Sequence, residues 1–151
     1  MPEFRFHHLE RRRLDQALPD LLEAELAKGA RIVVQTADEA ARDALNERLW
    51  TFREDSFLPH GAAGDGEAAS QPSFLTAIDE NPNGANLRVV LNPTEATRYV
   101  ADAASQVIVL FDARDEETMA AARLAWKALT AKGASVSYWR EGDEGEWVKA
   151  R

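Results

Sequence analysis

The chain has 151 residues, 45% apolar and 29% charged, with a formal net charge of −8 and no cysteine. That length fits one globular domain; the acidity argues against coating nucleic acid, and the absence of cysteine removes disulfides, a thiol nucleophile and Cys-rich metal sites. No apolar run approaches the ~20 residues that span a bilayer, and residues 1–8 lack the order of a signal peptide, so the simplest expectation is a cytoplasmic protein without membrane contact.

Phe4 to Leu9 alternates weakly and predicts a short first strand. Leu14, Leu18, Leu21, Leu22 and Leu26 then carry the spacing of an amphipathic helix. Pro19 lies within that pattern, so the helix begins near Pro19 or holds it in its first turn. Gly29 predicts the helix end, and Arg31 to Thr36 a buried, β-branched strand. Asp38 is placed to cap a second helix bearing Ala41, Leu45 and Leu49. Where that helix hands over to a loop, Leu49-Trp50 and Ser56-Phe57-Leu58-Pro59-His60-Gly61 set large aromatics beside charges and proline. Either a neighbouring element covers them, or they form an exposed patch of the kind that marks an interaction site.

Residues 61–73 are rich in Gly, Ala and Ser and predict a loop. Phe74–Asp79 and Asn86–Leu91 read as strands around a type I turn at Asn81-Pro82-Asn83-Gly84, which predicts a hairpin. A short helical turn over Thr94–Ala101 precedes Gln106–Phe111, the most apolar strand and so a central one. Asp115–Lys132 predicts a helix ending at Gly133, and Ser135–Trp139 a last strand. This order predicts a single α/β domain over residues 1–151: a mixed, mostly parallel sheet flanked by about three helices, Rossmann-like in topology. The turn Thr36-Ala37-Asp38-Glu39 has no glycine through which a backbone could approach a pyrophosphate, and there is no Walker sequence, so no nucleotide cofactor is expected.

The histidines are few. His7 and His8 are adjacent on a strand and point to opposite faces, so they cannot share a metal. His60 could serve as a general base beside a carboxylate in a small α/β hydrolase, although a packing or capping role is the commoner fate of such a residue. The carboxylates gather at Asp115-Glu116-Glu117, where a helix dipole favours them, and at Asp143, Glu144 and Glu146 in a solvated turn. Neither group shows the convergence that metal-dependent chemistry needs, so no metal and no catalytic residue is expected. Basic patches are confined to Arg11-Arg12-Arg13 and to Arg114, Arg123, Lys127 and Lys132. On the third helix, Arg123 and Lys127 share a stripe with Trp126 between them, which suits an acidic peptide with an apolar tip. Spacing alone favours the plainer alternative, in which Trp126 is core and the cations are its solvent-side neighbours.

The ordered set Phe6-His7-His8-Leu9, Leu49-Trp50, Ser56 to Gly61, Asp79 to Gly84, Leu110-Phe111-Asp112, Ala122-Arg123, Trp126-Lys127 and Tyr138-Trp139 resembles the chi subunit family of bacterial DNA polymerase III. The resemblance implies a non-catalytic accessory subunit of the clamp-loader assembly with no cofactor. It implies a site at Arg123, Trp126 and Lys127 for the acidic carboxyl-terminal tail of single-stranded-DNA-binding protein. It also implies a second surface at Leu49, Trp50, Phe57 and Pro59 for the psi subunit, or for a repair helicase. Nucleic acid would then be reached mainly through partners. The sequence departs from the pattern at Met119, where some relatives carry another cation. If Trp126 belongs to a docking site, Trp126→Ala should leave the melting temperature nearly unchanged; if it is core, stability should fall by a few kcal/mol.

Overall fold

The computed structural model describes residues 1–51, 61–62 and 72–151. Its elements in order are β1 (Glu3–Leu9), α1 (Leu14–Ala27), β2 (Ile32–Gln35), α2 (Glu39–Thr51), β3 (Gly61–Ala62), β4 (Ser73–Thr76) and β5 (Leu87–Val90). A 3-10 helix (Pro93–Tyr99) follows, then β6 (Gln106–Asp112), α3 (Glu116–Ala131), β7 (Val136–Glu141) and β8 (Trp147–Lys149). The strands form one sheet in the order β3-β4-β2-β5-β6-β1-β7-β8. Every pairing is parallel except β7 with β8, so the mixed, mostly parallel α/β architecture expected from the sequence is the one observed.

Both faces of the sheet are covered. α1 and α2 close one, with Leu18, Leu22 and Leu45 packed on Ile32, Val34, Val89 and Leu110. α3 and the 3-10 helix close the other, over Phe4, Phe6, Val107, Val109 and Phe111. β6 alternates between these two cores, which explains why it reads as almost continuously apolar.

Several expectations need correction. β4 and β5 are not a hairpin, because β2 lies between them and both run parallel to it. The turn at Asn81–Gly84 does form, with Asn81 Oδ1 accepting from Ala85 N at 2.7 Å and Gly84 at φ 63°. It belongs to a crossover over residues 77–86 that runs down the sheet face beside β2. Gln35 Nε2 holds the carbonyl of Ile78 at 2.9 Å, and Asn83 Nδ2 holds that of Ile32 at 3.0 Å. All four residues of each strand are buried, whereas a hairpin strand usually turns one face to water. Arg88 supports the crossover from within the core. It is 1% exposed, paired with Asp102 at 2.8 Å, bound to Gln35 Oε1 at 2.9 Å and seated 4.5 Å from the centre of the Tyr99 ring.

The stretch predicted as a loop over 61–73 contributes β3 and the first residue of β4, and its other residues up to 71 lie outside the described residues. α1 starts at Leu14, so Pro19 sits beyond the first turn. The last strand runs on to Glu141, and a turn at 142–146 returns the chain as β8, which the sequence reading missed.

Candidate functional site

α3 owes its position to strong ends and a narrow buried face. Asp115 caps it, accepting from Glu117 N at 3.2 Å and from Thr118 Oγ1 at 2.8 Å. Gly133, at φ 81°, closes it. The face against the sheet is Ala122, Ala125 and Leu129, small enough to bring the helix close to Phe6 and Phe111. Trp126 lies at the margin of this face and is half-buried. Its indole stands edge-on to Phe6 at 5.4 Å and to Tyr138 at 5.7 Å. Trp126 is therefore neither wholly core nor free of it. It packs on the core with one side and lines a cavity with the other, so Trp126→Ala must cost stability even if it also removes a contact to a ligand.

That cavity, of about 430 Å³, opens between α3 and β7. The structure brings Arg123, Trp126 and Lys127 together along it and adds Tyr138, Arg140 and Arg151 from the sheet side. Met119 lines it too, so the position where some relatives carry a cation is here an apolar part of the wall. The Tyr138 hydroxyl meets His8 Nδ1 at 2.5 Å. A neutral His8 that accepts there carries its own proton on Nε2, which lies 3.5 Å from Glu10 Oε2. Burial, and after it the charge of Arg140, lowers the His8 pKa, so the ring is uncharged at neutral pH. Burial raises the Tyr138 pKa, against the pull of Arg140, Arg123 and Arg151, and keeps its proton in place. Among the described residues no acidic side chain lines the cavity.

The other basic stretch behaves differently. Arg12 bonds Glu141 Oε2 at 2.8 Å and Asp20 at 3.0 Å, Arg11 pairs with Asp143 at 2.9 Å, and Arg13 lies 3.4 Å from Asp15. Arg114 pairs with Asp112 at 2.9 Å and reaches the carbonyl of Arg12 at 3.2 Å. Glu141 also accepts the backbone N–H groups of Glu10, Arg11 and Arg12, at 2.8, 2.9 and 3.4 Å. This loop follows β1 at the carboxyl end of the sheet, where doubly wound folds present N–H groups to a phosphate. Here a carboxylate of the protein itself holds that position. The Arg12 and backbone donors keep the Glu141 pKa low despite burial.

Sequence reasoning did not find Tyr138, Arg140, Arg151 or Glu141 as site residues. Their roles depend on β7 pairing with β1 and on the residues after β8 returning beside Tyr138, where Ala150 N donates to the Tyr138 carbonyl at 2.7 Å. The proposed partner surface at Leu49, Trp50, Phe57 and Pro59 lies outside what is described, apart from the backbone of Leu49 and Trp50 at the end of α2. His60, the residue on which a hydrolase would depend, lies outside the described residues as well. His7 is buried between Trp139, stacked at 6.0 Å, and Trp147, edge-on at 4.4 Å. Among the described residues no helix is long and apolar enough to cross a membrane.

Comparison with known proteins gives a consistent result. Residues 1–137 match the family model described as DNA polymerase III chi subunit, HolC. A probable DNA polymerase III subunit chi of Rickettsia prowazekii is 31% identical over 100 residues, covering 66% of this chain and 61% of the relative. A DNA polymerase III subunit chi of Pseudomonas aeruginosa is 39% identical over 81 residues, covering 53% of this chain and 54% of the relative. The chain thus spans less than two-thirds of the length of either relative.

Proposed function

The chain belongs to the DNA polymerase III chi subunit family, and we propose that it acts there as a non-catalytic adaptor binding the acidic tail of single-stranded-DNA-binding protein. One observation carries this reading: in a protein of net charge −8, a cavity walled by Trp126 and Tyr138 is rimmed by cations and, among the described residues, lined by no acidic side chain. A tail with acidic residues and an apolar end carrying a free carboxylate has the complementary chemistry. Its apolar end fits against the aromatic wall, and its carboxylates meet Arg123 and Lys127. The acidic remainder of the surface disfavours competition for DNA itself.

The second half of the adaptor is the surface of Leu49, Trp50, Phe57 and Pro59, assigned to psi or another clamp-loader component, or to a repair helicase. Two modest contacts on one small protein raise the effective concentration of the polymerase assembly at the coated template. The protein works in the cytoplasm on this reading, with no cofactor.

Fluorescence anisotropy with a labelled tail peptide tests the reading. Saturable binding is expected, weakened about tenfold by Arg123→Ala or Lys127→Ala, abolished when the terminal apolar residue is deleted, and weaker at high salt. Failure of the folded wild-type protein to bind would remove the tail from the proposal.

A further inference from the structure

We propose that Arg140 and Arg151 form a second, strand-side jaw of this site, so that an acidic peptide with an apolar end is held from two directions; the inference rests on reading the cavity as a tail site. Arg123 and Lys127 descend from α3, whereas Arg140 stands on β7 and Arg151 follows β8. Arg151 is set in place by its backbone, with its N–H donating to the Tyr138 carbonyl at 3.2 Å and its own carbonyl accepting from Tyr138 N at 3.1 Å. All four cations are exposed and line the same cavity. Arg140 has Glu10 at 3.9 Å, beyond hydrogen-bonding distance, and among the described residues no ion pair engages the Arg151 side chain. Among the described residues the Arg151 guanidinium is therefore open to a ligand, and that of Arg140, half exposed, has a long ion pair with Glu10 to exchange for one.

Two cations on one helical stripe attract an anion but leave its direction unset. Guanidinium groups facing them across Tyr138 hold carboxylates on both flanks of the peptide while its apolar end rests on Trp126 and Tyr138. A nucleic acid strand has the charge but lacks the apolar end, and its phosphates meet an acidic protein outside the cavity. The observations thus favour a peptide.

The test uses the full chain and a fluorescein-labelled peptide bearing several aspartates and a carboxyl-terminal phenylalanine. Arg140→Ala and Arg151→Ala should each weaken binding about fivefold, and the double variant more than either, with a shallower salt dependence. Arg140→Lys should retain part of the affinity, and all variants should unfold at the wild-type temperature. Wild-type affinity in both alanine variants, with Arg123→Ala weakened, would overturn the second jaw and leave the tail site standing. No binding by the wild type would overturn both. Displacement of the peptide by oligothymidylate, with the same arginines required for each ligand, would overturn the choice of a peptide.

Discussion

Two arginine-bearing regions of this protein look alike in sequence and differ in space. The loop after β1 holds Arg11, Arg12 and Arg13, and each has a carboxylate within 3.4 Å. The cavity beside α3 holds Arg123 and Lys127, and among the described residues neither has such a partner. Asp15 and Asp20 lie nearby in sequence, but Glu141 and Asp143 come from the far end of the chain, so a local count of charge does not fully separate the two. Whether a cation is left available to a ligand depends on where the fold brings an acid to it.

The largest effect should come from breaking the clasp at Glu141. Its side chain is 1% exposed and accepts three backbone N–H groups and Arg12. Glu141→Ala leaves those donors unpaired in a part-buried setting and should cost about 2–4 kcal/mol, seen as a lower midpoint in urea. Peptide binding by the folded fraction should persist, which would show the two regions to be separable.

Trp126→Ala should be intermediate, losing about 2–3 kcal/mol with its contacts to Phe6 and Tyr138. Calorimetry and anisotropy on one sample would show both stability and affinity reduced. Unchanged stability would mean that the indole is not seated as described. Arg123→Ala should move stability by less than about 0.5 kcal/mol, being an exposed change, while binding falls.

The last effect depends on pH. Burial, with Arg5 and Lys28 adding to it, lowers the His7 pKa from 6.5 to about 3, so the folded state resists a proton that the unfolded chain accepts. Stability from this group is complete above pH 6.5 and declines as the pH falls toward 3. The depressed Glu141 carboxyl acts in the same direction, in the acid range below its unfolded value. His7→Phe should flatten the curve of unfolding free energy against pH between 6.5 and 3, and an unchanged slope would contradict the buried neutral ring.

Much of this was legible because it is written locally. Asp38, Asp115, Gly29 and Gly133 mark helix ends through short-range geometry, and the helices end as they predict. Gln106–Phe111 declares a central strand by having no polar side to turn to water. The hairpin failed for the opposite reason: Asn81–Gly84 specifies a turn but carries no information about which strand lies beside the next. Arg88, buried in β5 among apolar residues, ties this region inward in a way that the strand pattern did not reveal. That Arg123 and Lys127 share a stripe with Trp126 between them could be read from their spacing, and they do line one cavity. The strand half of that cavity could not be read, because it depends on β7 lying beside β1 and on the chain returning past Tyr138.

That return also sets a sequence in time. The cavity is walled by α3 on one side and by Tyr138, Arg140, Ala150 and Arg151 on the other, and Phe6 and His8 of the first strand back its Trp126 and Tyr138. Until β7 inserts beside β1, that strand has no partner on that side, and the cavity does not exist. Binding competence is thus a property of the finished sheet. Chains truncated before residue 136 should fail to capture the peptide in a pull-down, whereas chains that include residues 136–151 should succeed.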